Sequence, residues 1–191
     1  MLKKTFYMMR HGQTLFNIRR KIQGACDSPL TAVGIQQAEI AGAFLKDITF
    51  DHFYSSSAER ACDTLEIAVG SDIAYTRLKG LKEMSFGTFE GESEDLNPED
   101  KSSFFVEYGG ESDEQARARL VDTCRKIMKQ EDHHTVLAVS HAGASMLFLS
   151  HWQDPAPEVE KGIPNCLILK YEYDSDDESF CLLESYRPVK G

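Results

Sequence analysis

Lys4-Thr5-Phe6-Tyr7-Met8-Met9-Arg10-His11-Gly12 is the stretch on which the reading of this chain turns. Its first part is a short apolar and aromatic run, and it stops abruptly at Arg10-His11-Gly12. A run of that length suits a buried strand, and the strand leads into a loop that carries two basic side chains next to a glycine. The pattern returns later in the chain. Thr135 to Val139 reads as a second buried strand, followed by Ser140-His141-Ala142-Gly143 and a helix that carries Met146, Leu147 and Leu149.

Between and around these strands the apolar spacing switches period. Thr31 has the character of an N-cap. Behind it Val33, Ile35, Ala38, Ile40, Ala41, Phe44 and Leu45 recur at helical spacing, which predicts a helix to about Lys46. His52 to Tyr54 reads as a short strand closed by Ser55-Ser56-Ser57, with a helix through Ala58 to Val69 and a third strand at Ile73 to Tyr75. Glu111-Ser112 opens a long helix to about Gln130. Leu167 to Tyr173 and Phe180 to Leu183 form a terminal hairpin around an acidic, solvated turn, Asp174 to Glu178. Strands alternating with helices predict an α/β fold: a single three-layer α/β/α domain over residues 1–191 whose central sheet is mostly parallel, made mixed by the hairpin. The stretch 81–110 mixes glycines, acids and aromatics and reads as a substrate-facing excursion from that domain.

Composition narrows the function classes. At 41% hydrophobic and 27% charged residues, the chain has the make-up of a globular protein, and no apolar run reaches the length of a membrane span. The N-terminus turns polar early and offers no small-residue cleavage site, so the expected location is cytoplasmic. Five scattered cysteines with no CxxC pair fit reduced thiols that behave as small hydrophobes. A formal net charge of -10 argues against nucleic-acid and anionic-membrane partners. It does not exclude a small phosphorylated substrate, because screening confines the global field to roughly a 10 Å Debye length and arginines gathered in a cleft override it locally.

In a parallel sheet, ligands bind at the carboxyl ends of the strands. Arg10-His11-Gly12, Ser55 to Arg60, and Ser140-His141-Ala142-Gly143 all occupy that position. His11 is a candidate nucleophile, Arg10 a planar fork for phosphate oxygens, and Gly12 a point of close backbone approach. Arg60, near the start of its helix, can reach back over the strand ends or pair with Glu59 or Asp63 on the surface. His141 is either a satisfied core histidine or an imidazolium that stabilises transition-state charge. Glu83, in an apolar stretch punctuated by glycine, is a candidate proton donor if burial raises its pKa. Together these residues supply the parts of a phosphoryl-transfer site: nucleophile, cations and acid. His133-His134 reads as a solvated loop rather than a metal site, and Trp152 as a packing residue or interface anchor.

Arg10-His11-Gly12-Gln13-Thr14, Asp27-Ser28-Pro29-Leu30-Thr31 with Gly34, Ser55-Ser56 with Arg60-Ala61 and Thr64, Glu83 with Gly87, Gly110-Glu111-Ser112, and Ser140-His141 together resemble the histidine phosphatase superfamily, the phosphoglycerate-mutase-like proteins. The match runs along nearly the whole chain. Two positions depart from the usual pattern: Ala58 stands where a leucine is common, and Ala142 where a glycine is frequent. The resemblance implies a reaction through a phosphohistidine on His11, with Glu83 as acid and Arg10, Arg60 and His141 around the transferred group. Asn17, Gln23 and Gly24 sit where family members place further phosphate ligands, and Ala142 leaves a backbone amide available. No metal and no cofactor is implied.

Three functions fit this pattern. The first is a metal-independent phosphatase acting on a small phosphorylated metabolite; the chain's length and its Gln23-Gly24 and Asp27-Ser28-Pro29 resemble the phosphatase branch. The second is a phosphoglycerate mutase using the same residues. The third is a non-catalytic phosphate-binding module, against which the joint presence of His11 and Glu83 speaks. Phe86, Phe89, Phe104, Phe105 and Tyr108 either form a partly apolar wall for an organic leaving group or pack the excursion onto the domain. Substrate identity and homo-oligomer formation stay open at this level.

Overall fold

Strand β1 (Lys3–Arg10) forms over the opening run and lies inside a six-stranded sheet. The computed structural model describes residues 3–188. The other strands are β2 (His52–Ser56), β3 (Thr76–Leu78), β4 (Thr135–Ser140), β5 (Ile168–Asp174) and β6 (Ser179–Tyr186), in the order β3-β2-β4-β1-β5-β6. Strands β3, β2, β4 and β1 run parallel, while β5 is antiparallel to both β1 and β6, so the sheet is mixed as the terminal hairpin predicts.

The apolar side chains of β1 explain why helices cover both faces. Phe6 and Met8 point to one side and pack with Val136 and Ala138 of β4 against helices α4 (Asp113–Met128) and α5 (Ala142–Trp152). Tyr7 and Met9 alternate to the other side and pack with Leu137 and Val139 against α2 (Ala32–Leu45) and α3 (Glu59–Val69). Burying each such side chain is worth about 1.5–3 kcal/mol, so a strand apolar on both faces is stable only between two helical layers. The result is the three-layer α/β/α arrangement.

Thr31 caps α2 by accepting the Gly34 amide at 3.0 Å, and Ser112 caps α4, its hydroxyl accepting the Gln115 amide while its own amide donates to Gln115 Oε1. The third strand departs from expectation. Ile73 and Tyr75 pack into the α2–α3 layer, and the ladder to β2 forms three residues later, Tyr54 pairing with Thr76. Two short helices, α1 (Leu15–Ile18) and α6 (Ala156–Glu160), are too short to show a period in sequence. The excursion 81–110 carries single 3₁₀ turns at Gly87–Phe89, Glu94–Leu96 and Phe104–Tyr108. Its aromatics mostly pack on themselves: Phe89 contacts Phe104, Phe105 and Tyr108, and Phe105 is fully buried.

Candidate active site

Strand register sets the site. Arg10 at the end of β1 pairs with Ser140 at the end of β4, so the next residues, His11 and His141, leave the sheet side by side with ring centroids 5.2 Å apart. The end of β2 lies on the other side of β4, Ser55 pairing with Val139, which brings Ser56 to His141. A cavity of about 160 Å³ opens here, lined in part by Arg10, His11, Asn17, Gln23, Glu83 and Ala142.

His11 is 4% exposed, and its Nδ1 lies 2.7 Å from the carbonyl of Gly12. A carbonyl only accepts, so Nδ1 carries the proton and Nε2 keeps its lone pair. Burial, then the charges of Arg60 and Arg10, hold the His11 pKa well below its ordinary value, so the ring is neutral. Gly12 is held in turn: its amide donates to Thr64 Oγ1 at 2.9 Å, and a Cβ here would meet the Gly34 carbonyl at 2.5 Å. Arg10 donates through Nη1 to the Ile163 carbonyl, while its buried Nε has no partner. The residue also lines the cavity, so its guanidinium brings a planar, charged set of donors to the wall.

Arg60 and His141 are both fully buried and do not line the cavity. Of the two alternatives read from sequence for Arg60, the surface pair with Glu59 or Asp63 does not form; the side chain reaches back to the end of β4, where it meets His141, but as a buried group rather than on the cavity wall. Its guanidinium lies beneath the site, donating to Cys26 O at 3.0 Å, Asp27 Oδ1 at 2.9 Å, Gly24 O at 3.1 Å and His141 Nδ1 at 3.0 Å. Because His141 Nδ1 accepts from arginine, its proton sits on Nε2 and points to Ser56 Oγ, 2.8 Å away. Burial and the neighbouring Arg60, His11 and Arg10 hold the His141 pKa well below normal, so of the two alternatives read from sequence the ring is the bonded core histidine, neutral, rather than the imidazolium.

Glu83 lies on the cavity wall, but the structure shows a different setting from the apolar one expected. Its carboxylate caps α5, accepting the amides of Gly143 at 2.9 Å, Ala144 at 2.6 Å and its own neighbour Met84 at 3.0 Å. The amide of Ala142, the first residue of α5, is not among those Glu83 takes, and Ala142 lines the cavity. Asn17 accepts through Oδ1 from the Thr14 amide and from Asn165 Nδ2, which leaves its own NH₂ for the cavity. The side chain of Gln23 is held by Thr14 and Ser28. Gly24 does not line the cavity: its amide is bound by Glu90 at 3.0 Å, and a Cβ would meet the Met84 carbonyl at 2.2 Å. Its glycine serves close packing rather than ligand contact.

Several residues of the site were not read from sequence. Thr64 entered only through the resemblance, yet it ties Gly12 to α3 and donates to the Arg60 carbonyl at 2.6 Å. Glu90 accepts four backbone amides, from Gly24, Ala25, Cys26 and Phe86, and so joins the loop 22–26 to the excursion. Glu111 and Arg119 form a bidentate pair under the Glu83 segment, with Arg119 also donating to the carbonyls of Gly80 and Lys82 at 3.0 Å. No local signal separates Glu90 from the other acids of the excursion. Lys21, Ile22, Phe86, Glu94, Asn97 and Lys101 complete the cavity lining.

Residues 6–184 match the model of the histidine phosphatase superfamily, branch 1. The chain belongs to this superfamily. A probable phosphoglycerate mutase, GpmB, of Salmonella choleraesuis is 30% identical over 186 residues, covering 87% of this chain and 84% of that protein. Among solved structures, a phosphoserine phosphatase from Entamoeba histolytica in complex with 3-phosphoglyceric acid is 27% identical with a TM-score of 0.79, each chain covered to 96%. YhfR of Bacillus stearothermophilus is 26% identical with a TM-score of 0.81, covering 93% of this chain and 94% of its own. This histidine phosphatase superfamily enzyme therefore has both phosphatases and mutases among its relatives, and its fold is theirs.

Away from the site, the solvated loop expected at His133-His134 holds for the exposed His134, whereas His133 belongs to a built cluster. His133 is 5% exposed, stacks on His52 at 3.7 Å, and is bonded through Nδ1 to Asp132 and through Nε2 to Tyr54. It lies at the amino ends of β2 and β4, opposite the cavity. Trp152 packs on the core beside Phe148 and Phe180. No helix among the described residues is long and apolar enough to cross a membrane.

Proposed function

We propose that the chain is a phosphomonoesterase that works through a phosphohistidine on His11. The observation that carries this reading is the state of His11: buried, neutral, and fixed by the Gly12 carbonyl in the tautomer that leaves Nε2 as the nucleophile. Nε2 forms a bond to the substrate phosphorus as the bond from phosphorus to the leaving oxygen breaks, and that oxygen takes its proton from Glu83 through Oε2, the carboxyl oxygen that accepts one amide, from Gly143, rather than two. A water oxygen then attacks the phosphorus, the N–P bond returns its electrons to His11, and Glu83 takes the water's proton. The Arg10 guanidinium, the Asn17 NH₂ and the Ala142 amide bind the equatorial oxygens, while Arg60 supplies charge from below. His141 acts by orienting Arg60. The substrate is a small phosphorylated molecule, and no step is assigned to a metal or cofactor.

The mutase reading draws support from the GpmB relative, since it uses the same nucleophile and differs only in keeping water from the phosphohistidine. One experiment separates the two. Hydrolysis of p-nitrophenyl phosphate should persist in EDTA and vanish in His11→Ala, and mass spectrometry of the acid-labile phosphoenzyme should locate phosphate on His11. Loss of activity to the chelator would overturn the metal-free mechanism. Rapid interconversion of 3- and 2-phosphoglycerate without phosphate release would replace the phosphatase reading by the mutase one.

A further inference from the structure

The catalytic cavity is small, and it has a neighbour. On the far side of Glu83 lies a groove of about 510 Å³, floored by Met84, Met146 and Leu147 and flanked by Arg117 and Ser150. Glu83, Phe86 and Lys101 line both spaces, so the groove continues from the cavity across the side chain assigned as proton donor. The phosphoryl group transferred to His11 and the oxygen protonated by Glu83 are neighbours in any substrate. Whatever is attached to that oxygen is directed past Glu83 and Phe86, away from His11.

We infer that this groove holds the leaving group, and that the substrate is the phosphomonoester of an alcohol with an apolar body the size of an aromatic ring or a medium alkyl chain. This rests on the phosphatase reading of the same site. The cavity of about 160 Å³ holds a phosphoryl group and a short carbon stub, and a three-carbon acid would leave the groove unused. The apolar floor is built into the fold. Met84 belongs to the cluster of Phe105 and Ala116, and Leu147 bridges that cluster to the main core. Two methionines in such a floor suit a ligand of variable shape, because the unbranched thioether adapts to its neighbour. Lys101 and Arg117 make no ion pair among the described residues, and they keep the groove mouth polar. Aromatics of the excursion other than Phe86 are turned into packing, so the groove, rather than the wall of phenylalanines, provides the apolar surface.

The test uses homologous n-alkyl phosphates from ethyl to hexyl, whose leaving-group basicity is nearly constant, together with the matching non-hydrolysable alkyl phosphonates. Both kcat/KM for phosphate release and phosphonate affinity by calorimetry should rise roughly two- to fourfold per added methylene, the upper value corresponding to full burial. Leu147→Trp, which fills the groove, should lower kcat/KM for the hexyl ester at least tenfold more than for the ethyl ester. Ser150→Phe on the other wall should do the same, and a thermal melt of each variant shows that it is folded. Phosphonate affinity independent of chain length would overturn the groove assignment whatever the turnover. Affinity that follows chain length without phosphate release would leave the groove standing and overturn the phosphatase reading.

Discussion

Glu90 offers the sharpest test of how the site is held. Its Oε1 accepts the amides of Ala25 at 2.7 Å and Phe86 at 3.0 Å, and its Oε2 those of Gly24 and Cys26, each at 3.0 Å. Burial alone would raise its pKa, but the Cys26 thiol and the surrounding amides outweigh it and hold the carboxyl below its ordinary value. Glu90→Gln keeps the shape and replaces one oxygen by NH₂. Either orientation of the amide sets that NH₂ against two backbone N–H donors, so two bonds are lost whichever way it turns. A hydrogen bond to a charged acceptor contributes about 1.5–3 kcal/mol, and the lower figure suits this half-buried group, giving a loss of about 3 kcal/mol. Against a typical stability of about 5–15 kcal/mol this is a large fraction, and for a chain of this size it lowers Tm by roughly 6–12 °C.

The same substitution reports on the site. The carbonyls of Gly24 and Cys26 hold Arg60, so slackening this loop lowers kcat/KM as well as stability. Burial first, and the Glu90 carboxylate second, push the Cys26 thiol up to about 12. Removing the charge brings that pKa down, and labelling of Cys26 by a disulfide reagent at mildly alkaline pH should accelerate. Urea unfolding, calorimetric melting and thiol labelling measure the three effects. A Glu90→Gln protein within about 1 kcal/mol of the parent, with an unchanged labelling rate, would refute the account of Glu90 as the joint between these segments.

Two further outcomes follow from named contacts. Glu158 of α6 is bonded to Lys161 and Arg187; burial alone would raise its pKa, but these partners outweigh it and bring it from 4.5 to about 2. A carboxyl depressed in the folded state contributes stability that is full above pH 4.5 and is lost as pH falls toward 2. That contribution amounts to about 3 kcal/mol, and Arg187→Gln should flatten the acid limb of the urea-stability profile. At Gly143 an added Cβ would lie 2.8 Å from Glu83 Oε1, so Gly143→Ala moves the acid without removing it. The kcat for p-nitrophenyl phosphate should fall roughly ten- to a hundredfold, since displacement of a reacting group by about 1 Å has effects of that order, while loosening of the α5 cap, worth about 1 kcal/mol, lowers Tm by only roughly 2–4 °C. An unchanged kcat would remove Glu83 from the proton-transfer step.

Much of the fold was legible because its signals are local. The apolar run at β1, the period switch after Thr31, and the hairpin around Asp174 to Glu178 each follow from residues within a few positions of one another. The missed elements had no such signal. Helix α1 spans four residues, and β3 is set by pairing with β2 rather than by its own pattern. In the site, His11 and Glu83 were legible as residue types at the right ends of elements, whereas their surroundings were not. In sequence Glu83 is an acid in an apolar stretch, whereas in the fold it caps α5, an element that begins about sixty residues further along the chain.

By itself, then, the sequence determined the alternation of strands and helices and placed two histidines, two arginines and an acid at strand ends or loops, because hydrophobic periodicity and turn chemistry act over short distances. Tertiary structure alone decided which of those groups face the cavity. Register between β1 and β4 sets His11 beside His141, and packing turns Arg60 and His141 into the floor as a buried, mutually bonded pair. The Gly12 carbonyl selects the tautomer of His11. Charge state, tautomer and access depend on what surrounds a group in three dimensions, and here those surroundings come from segments up to about 150 residues apart, as in the Arg10 bond to Ile163.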